Sequence, residues 1–183
     1  MHDKKQLMSP INHQDELQPL NIAVMTISDS RTEQDDASGK RLVERLTASG
    51  HRLAEKAIVP DNRYRIREVL SRWIADPQVH AVITTGGTGL TGRDITPEAV
   101  LPLFDKTIEG FGELFRSLSY DLIKTSTIQS RALAGLANGT PIFCLPGSPG
   151  ACKDGWDGII QHQLDCRHKP CNLVELMPRF TEQ

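Results

Sequence analysis

Apolar residues run almost without interruption through Asn21-Ile22-Ala23-Val24-Met25-Thr26-Ile27-Ser28. Ile22, Val24 and Ile27 place apolar side chains on both faces, which predicts a central parallel strand. A polar loop, Ser28 to Arg31, follows it. Leu42, Val43 and Leu46 then recur at helical spacing, with Asp36 or Ser38 as the cap and Gly50 as the stop. Arg52 to Val59 predicts a second strand that runs into Pro60-Asp61-Asn62. Ile66, Val69, Leu70, Trp73 and Ile74 mark the next helix, and Asp61 is a candidate cap for it. Ala81 to Ile83 is a short buried strand. Beyond its glycine-rich loop, Thr96 reads as an N-cap and Pro97 as the first position of a helix reaching Phe104. A further helix spans Gly110 to Ile123, with Phe111, Leu114, Phe115 and Leu118 on one face, facing the core or another subunit. Asn138-Gly139 lies between two apolar runs, Ala132 to Leu136 and Pro141 to Leu145, and predicts an antiparallel hairpin. Pro146 to Gly150 forms a tight loop opening the last helix, whose Trp156, Ile159, Ile160 and Leu164 point inward. The sum is an α/β fold with a mixed sheet of parallel strands plus one antiparallel ribbon.

The chain has 183 residues, which suits one domain with a sizeable core. We read 20–166 as that domain, 1–19 as a flexible polar arm and 167–183 as a tail strapped on the surface. A net charge of −2 gives no electrostatic case for nucleic-acid or membrane binding. No apolar run approaches the roughly 18 residues of a membrane span. Met1 to Pro19 lacks the apolar segment of a signal peptide, so a cytoplasmic location is expected. Cys166 and Cys171, with His168 between them, have spacings a zinc site uses. A structural zinc needs four ligands, and Cys144 and Cys152 sit within or beside core elements, so free cysteines are expected.

The chemistry concentrates in Thr84-Thr85-Gly86-Gly87-Thr88-Gly89-Leu90-Thr91-Gly92-Arg93-Asp94-Ile95-Thr96-Pro97. Strand, glycine loop and helix is an arrangement that holds phosphates through backbone N–H groups. Gly87 to Gly92 matches GxGxxG literally, yet the helix opens after the glycines rather than within them, unlike a dinucleotide fingerprint. No GxxxxGK[ST] occurs, which excludes a P-loop. Asp94 would repel a phosphate unless a cation lies between them, which points to metal-assisted phosphate chemistry. The plain alternative is a tight turn without a ligand.

Thr-Thr-Gly-Gly-Thr-Gly at 84–89, Arg-Asp-Ile-Thr-Pro-Glu-Ala at 93–99 and Leu-Pro-Gly-Ser-Pro at 145–149 together resemble the MoaB/Mog family of molybdenum-cofactor biosynthesis. The likeness runs from about Leu20 to Leu164 and is nearest the stand-alone MoaB branch. It implies a three-layer α/β/α fold, assembly as trimers or hexamers, and binding of molybdopterin. It further implies that active members use ATP and Mg²⁺ to adenylylate molybdopterin, releasing pyrophosphate. Carried onto this sequence, the functional aspartates are Asp61 and Asp94, which are also the implied metal ligands. Substrate contacts are implied at Ser28 and Asp29, at Asp36, Ser38 and Gly39, and at Gly86, Gly87, Thr88 and Gly89. Others are implied at Arg93, Ser130 and Arg131, and at Pro146, Gly147 and Ser148. Many members carry a lysine directly after the Pro-Gly-Ser-Pro-like loop, where this chain has Gly150, with Lys153 a turn later. A non-catalytic pterin-binding protein is the alternative the resemblance leaves open.

Overall fold

A computed structural model of the chain describes residues 16–182; most of the expected arm lies outside the described residues. Six strands form one sheet: β1 (Asn21–Ile27), β2 (Arg52–Val59), β3 (Ala81–Thr85), β4 (Lys106–Thr107), β5 (Leu133–Ala137) and β6 (Thr140–Leu145). Their order is β2-β1-β3-β6-β5-β4. The pairs β1–β2, β1–β3 and β3–β6 are parallel, while β5 runs antiparallel to both β6 and β4. Asn138 and Gly139 turn β5 into β6 with φ of 48° and 79°, the left-handed pair that a two-residue hairpin requires.

Helices cover both faces. On one lie α1 (Ala37–Ala48), α4 (Glu109–Ile123) and α5 (Pro149–Gly155), the last continuing through a π turn at Trp156–Ile160 into α6 (Gln161–Gln163). On the other lie α2 (Arg63–Ala75) and α3 (Thr96–Val100). The strand period of two divides β1 between them. Ile22 and Val24 join Leu42, Leu46, Phe111, Phe115 and Trp156. Ala23, Met25 and Ile27 join Ile66, Leu70, Trp73, Ala99 and Val100. The uninterrupted apolar run of β1 is therefore the sequence of a strand with a core on each side.

Several local expectations are corrected. The N-cap of α3 is Ile95, with no side-chain capping bond; Thr96 is already helical and donates its hydroxyl to Gly86 O at 2.8 Å. That helix ends at Val100 and continues only as a 3₁₀ turn to Leu103, because Pro102 has no N–H for an α-helical bond. Asn62, not Asp61, caps α2, accepting from Tyr64 N and Arg65 N. Asp36 rather than Ser38 caps α1. The face expected on α4 splits: Phe111 and Phe115 are buried, whereas Leu114 is 48 % exposed. Two-residue β4 carries no periodic signal and was not anticipated. The C-terminal segment is more than a surface strap, since α7 (Leu173–Leu176) sends Val174 into the first core. Of the arm, Glu16 and Gln18 are engaged by backbone contacts with Cys166 Sγ.

Candidate functional site

The C-terminal ends of β1, β2, β3 and β6 open on one edge of the sheet. The strand order reverses between β1 and β3, the place where open α/β sheets hold ligands. The loops leaving these strands are packed into one another. Gly86 has φ of 105°, and a Cβ there would stand 2.2 Å from Ile27 O. Its N–H donates to Leu145 O at 3.0 Å, and its Cα lies 3.3 Å from where a Cβ on Gly147 would sit. Glycine at 86 is thus required by both backbone conformation and contact.

Three carboxylates meet here. The Asp29 N–H donates to Asp61 Oδ2 at 3.1 Å, and the Asp61 N–H donates to Asp29 Oδ1 at 3.1 Å. Arg93, from the glycine loop, forms an ion pair with Asp29. Asp61 Oδ1 lies 3.4 Å from an ideal Cβ on Gly87. Burial pushes the Asp61 carboxyl above its ordinary value, and the charge of Asp94 pushes it further. Asp94 behaves oppositely. Burial would raise it, but the hydroxyl and N–H of Thr91, the Gly89 amide and Arg131 together hold it below the usual carboxylate range. The Thr91 bonds to Asp94 Oδ2 measure 2.7 Å from the hydroxyl and 2.8 Å from the N–H. The second half of the glycine loop therefore cradles a carboxylate of its own chain. The Gly87 and Thr88 amides are among the loop N–H groups with no protein acceptor among the described residues, and are candidates to meet an incoming anion.

The remaining expected residues divide. Ser28 Oγ accepts from the N–H groups of Ser30 and Arg31, closing the loop after β1. Ser130, Pro146 and Ser148 join Thr88 and Gly89 in lining a cavity of about 230 Å³ walled by Phe115, Ser119 and Thr127. Ser148 also caps α5 through Ala151 N. Asp36, Ser38 and Gly39 are buried. Asp36 accepts from Thr26 Oγ1 and Gly39 N, each at 2.9 Å, and pairs with Lys56 at 2.7 Å. Burial would raise its carboxyl, but Lys56 and the two other donors hold it low. These partners occupy it within the fold. Arg131 turns onto the loop's carbonyls and Glu98. No acceptor role for Glu98 was anticipated, although its i+4 spacing from Asp94 puts both beside the same loop. Larger hollows, of about 260 Å³ beside Pro77 and His80 and about 440 Å³ along α4 and β5, lack the glycine loop and carboxylate pair.

As a metal centre the donor set is sparse. No cluster of three His, Cys, Asp or Glu side chains suited to a metal occurs among the described residues. Asp61 and Asp94 at the same sheet edge, with Asp61 raised by burial and then by the charge of Asp94, still suit a hard cation that takes its other ligands from phosphate and water.

Residues 23–165 match the family described as "Probable molybdopterin binding domain". The chain belongs to the MoaB/Mog family of molybdenum-cofactor biosynthesis. It is 54% identical over 155 residues to molybdenum cofactor biosynthesis protein B of Escherichia coli K12, covering 85% of this chain and 91% of that protein. It is 42% identical over 142 residues to the protein of that name from Bacillus subtilis, covering 77% and 84%. A crystal structure of a molybdenum cofactor biosynthesis protein B superposes with a TM-score of 0.83 at 36% identity, over 92% of this chain and 100% of that one. The tungsten cofactor synthesizing protein MoaB from Pyrococcus furiosus superposes at 0.71 with 38% identity, over 77% and 90%. The three-layer mixed sheet is the MoaB/Mog fold, and Asp61, Asp94 and the glycine loop sit at its strand-end opening. No helix among the described residues is long and apolar enough to cross a membrane.

Proposed function

We propose that this MoaB/Mog protein transfers an adenylyl group from ATP to molybdopterin. A terminal phosphate oxygen of molybdopterin attacks the α-phosphorus of ATP, the bond from that phosphorus to the bridging oxygen breaks, and pyrophosphate leaves. Both reactants are anions, so positioning and charge neutralisation supply most of the rate. The observation that carries the reading is the Asp61–Asp94 pair beside the free Gly87 and Thr88 amides. Asp94 and Asp61 would hold Mg²⁺, which when bound neutralises the triphosphate and makes its α-phosphorus easier to attack. The chain's own groups do the rest. The Gly87 and Thr88 N–H groups orient a phosphate. Arg93, exposed and paired with Asp29, is the cation beside the carboxylates. The cavity between Thr88, Phe115 and Ser148 offers an apolar wall with hydroxyl groups for the pterin. Purified protein with ATP, Mg²⁺ and molybdopterin should release pyrophosphate, and should release none when molybdopterin is left out.

A second reading, a pterin-binding protein without transfer, is favoured by Gly150, which leaves a cation missing where many family members have one. In that case pterin binds and no pyrophosphate appears. The reading extends to assembly. Leu114, Leu122, Ile123 and Ile128 are exposed on α4 and the 3₁₀ turn after it, apolar surface that a trimer or a pair of trimers would cover. Sedimentation at micromolar concentration separates such an assembly from a monomer.

A further inference from the structure

We infer that Arg131 is a positioning residue, one half of an Arg131–Glu98 clamp that holds the glycine loop in its working shape, and that it does not bind the substrate phosphates. The inference rests on the adenylylation reading for its kinetic consequences only.

Arg131 precedes β5, and its groups are spent on the loop. Its N–H donates to Thr88 O at 2.8 Å, its Nε to Gly89 O at 2.7 Å, and one terminal nitrogen to Asp94 O at 2.6 Å. The same guanidinium is paired with the Glu98 carboxylate on α3. The side chain thus ties down the Gly89 and Asp94 carbonyls, and the residue's own N–H holds that of Thr88. A trans peptide sends its N–H opposite to its C=O. Drawing the Thr88 and Gly89 carbonyls toward Arg131 therefore turns the Gly89 and Leu90 N–H groups away from it. The Gly89 amide faces Asp94 accordingly. The clamp also fixes the carbonyl of Asp94 itself, and so the base from which that carboxylate projects. Arg131 is held in turn, because Arg116 Nη1 donates to Ala132 O at 3.0 Å and to Ser130 O at 3.5 Å on either side of it.

Position and direct binding predict opposite results at Glu98. If Arg131 served as a charge for phosphate, Glu98→Gln would release it and tighten nucleotide binding. If it clamps the loop, Glu98→Gln loosens the loop although a negative charge has been removed. Arg131→Lys keeps the charge and the backbone bond to Thr88 O but cannot span two carbonyls and a carboxylate, because an ammonium lacks the planar fork.

The test compares wild type, Glu98→Gln and Arg131→Lys by amide hydrogen exchange, Mn²⁺ titration followed by electron paramagnetic resonance, and steady-state kinetics. Both variants should speed exchange in 88–95 about tenfold, the scale of one lost charged hydrogen bond, and weaken Mn²⁺ binding. Turnover should fall roughly 100-fold with the KM for ATP little changed, the mark of misplaced groups. Unchanged exchange in both variants, tighter nucleotide binding in Glu98→Gln, or full rescue by lysine would overturn the clamp. If wild type releases no pyrophosphate, the adenylylation reading fails, and exchange with Mn²⁺ binding still decides the clamp.

Discussion

Asp29 and Asp61 exchange hydrogen bonds, each backbone N–H donating to the other's carboxylate at 3.1 Å. This reciprocal pair locks the loop after β1 to the loop after β2 and fixes where Asp61 points. Asp29→Ala should free the Asp61 N–H and Arg93 together, while the N–H of residue 29 still reaches Asp61 Oδ2. A stability loss of about 1 kcal/mol is expected from the lost bond, alongside a larger loss in metal binding. Thermal melting and a Mn²⁺ titration on the same variant measure the two; equal Mn²⁺ affinity in both proteins would detach Asp29 from the site.

The glycines of the loop are not equivalent. Gly86 combines a φ of 105° with a Cβ position 2.2 Å from Ile27 O, whereas a Cβ on Gly92 meets nothing within 4 Å. Gly86→Ala should destabilise the fold by roughly 3 kcal/mol or more, from backbone strain and a backbone clash acting together. Gly92→Ala should be neutral within about 0.5 kcal/mol. Denaturant midpoints for both variants test this ordering.

Gly150 lies in the first turn of α5, and a Cβ there also meets open space. Gly150→Lys should fit without strain and raise stability by up to about 1 kcal/mol through helix propensity. It should also tighten ATP binding if the loop at Pro146 to Ser148 faces nucleotide. Calorimetric titration with ATP reads the second effect, and unchanged affinity would take this loop out of the nucleotide site.

Much of this fold is written in the order of apolar positions. β1 and β3 and the Asn138–Gly139 hairpin are legible because buried strands and left-handed turns restrict residue type. β4 is two residues long and has no period to read. Thr96 looked like a cap because it precedes Pro97, but tertiary context gives its hydroxyl the Gly86 carbonyl instead. At the site, the glycines and Asp94 stand out because few other structures need them together. The roles of Asp36 and Arg131 do not. Their partners, Lys56 for Asp36 and Thr88, Gly89 and Glu98 for Arg131, are distant in sequence and become neighbours only through the sheet order.

His51 makes stability depend on pH. Its Nδ1 accepts Leu20 N at 3.2 Å, and its ring is buried beside Trp156. Burial lowers its pKa below 6.5; Asp165 opposes that shift and Arg167 adds to it. The unfolded chain therefore takes up a proton at higher pH than the folded one. The stabilisation is complete above about pH 6.5 and is lost as pH falls through the lowered folded value. Asp36, depressed below 3.8, adds a second loss at lower pH. Stability measured from pH 8 to 5 should decline in wild type and run flatter in His51→Gln; parallel curves would assign the decline to other groups.

The central claim is that Asp94 serves the chemistry and not only the loop it closes. Asp94→Asn keeps the shape, retains an acceptor for Thr91 and removes the charge. Loss of the Thr91 bonds in full would cost roughly 1 kcal/mol of stability. Loss of a metal ligand would cost about 100-fold or more in turnover. The direct measurement is pyrophosphate release at saturating ATP, Mg²⁺ and molybdopterin, with molybdopterin affinity and melting temperature taken on the same samples. The account predicts that turnover collapses while pterin affinity and melting change little. A variant that melts lower yet turns over at the wild-type rate would contradict it and leave Asp94 as a loop cap.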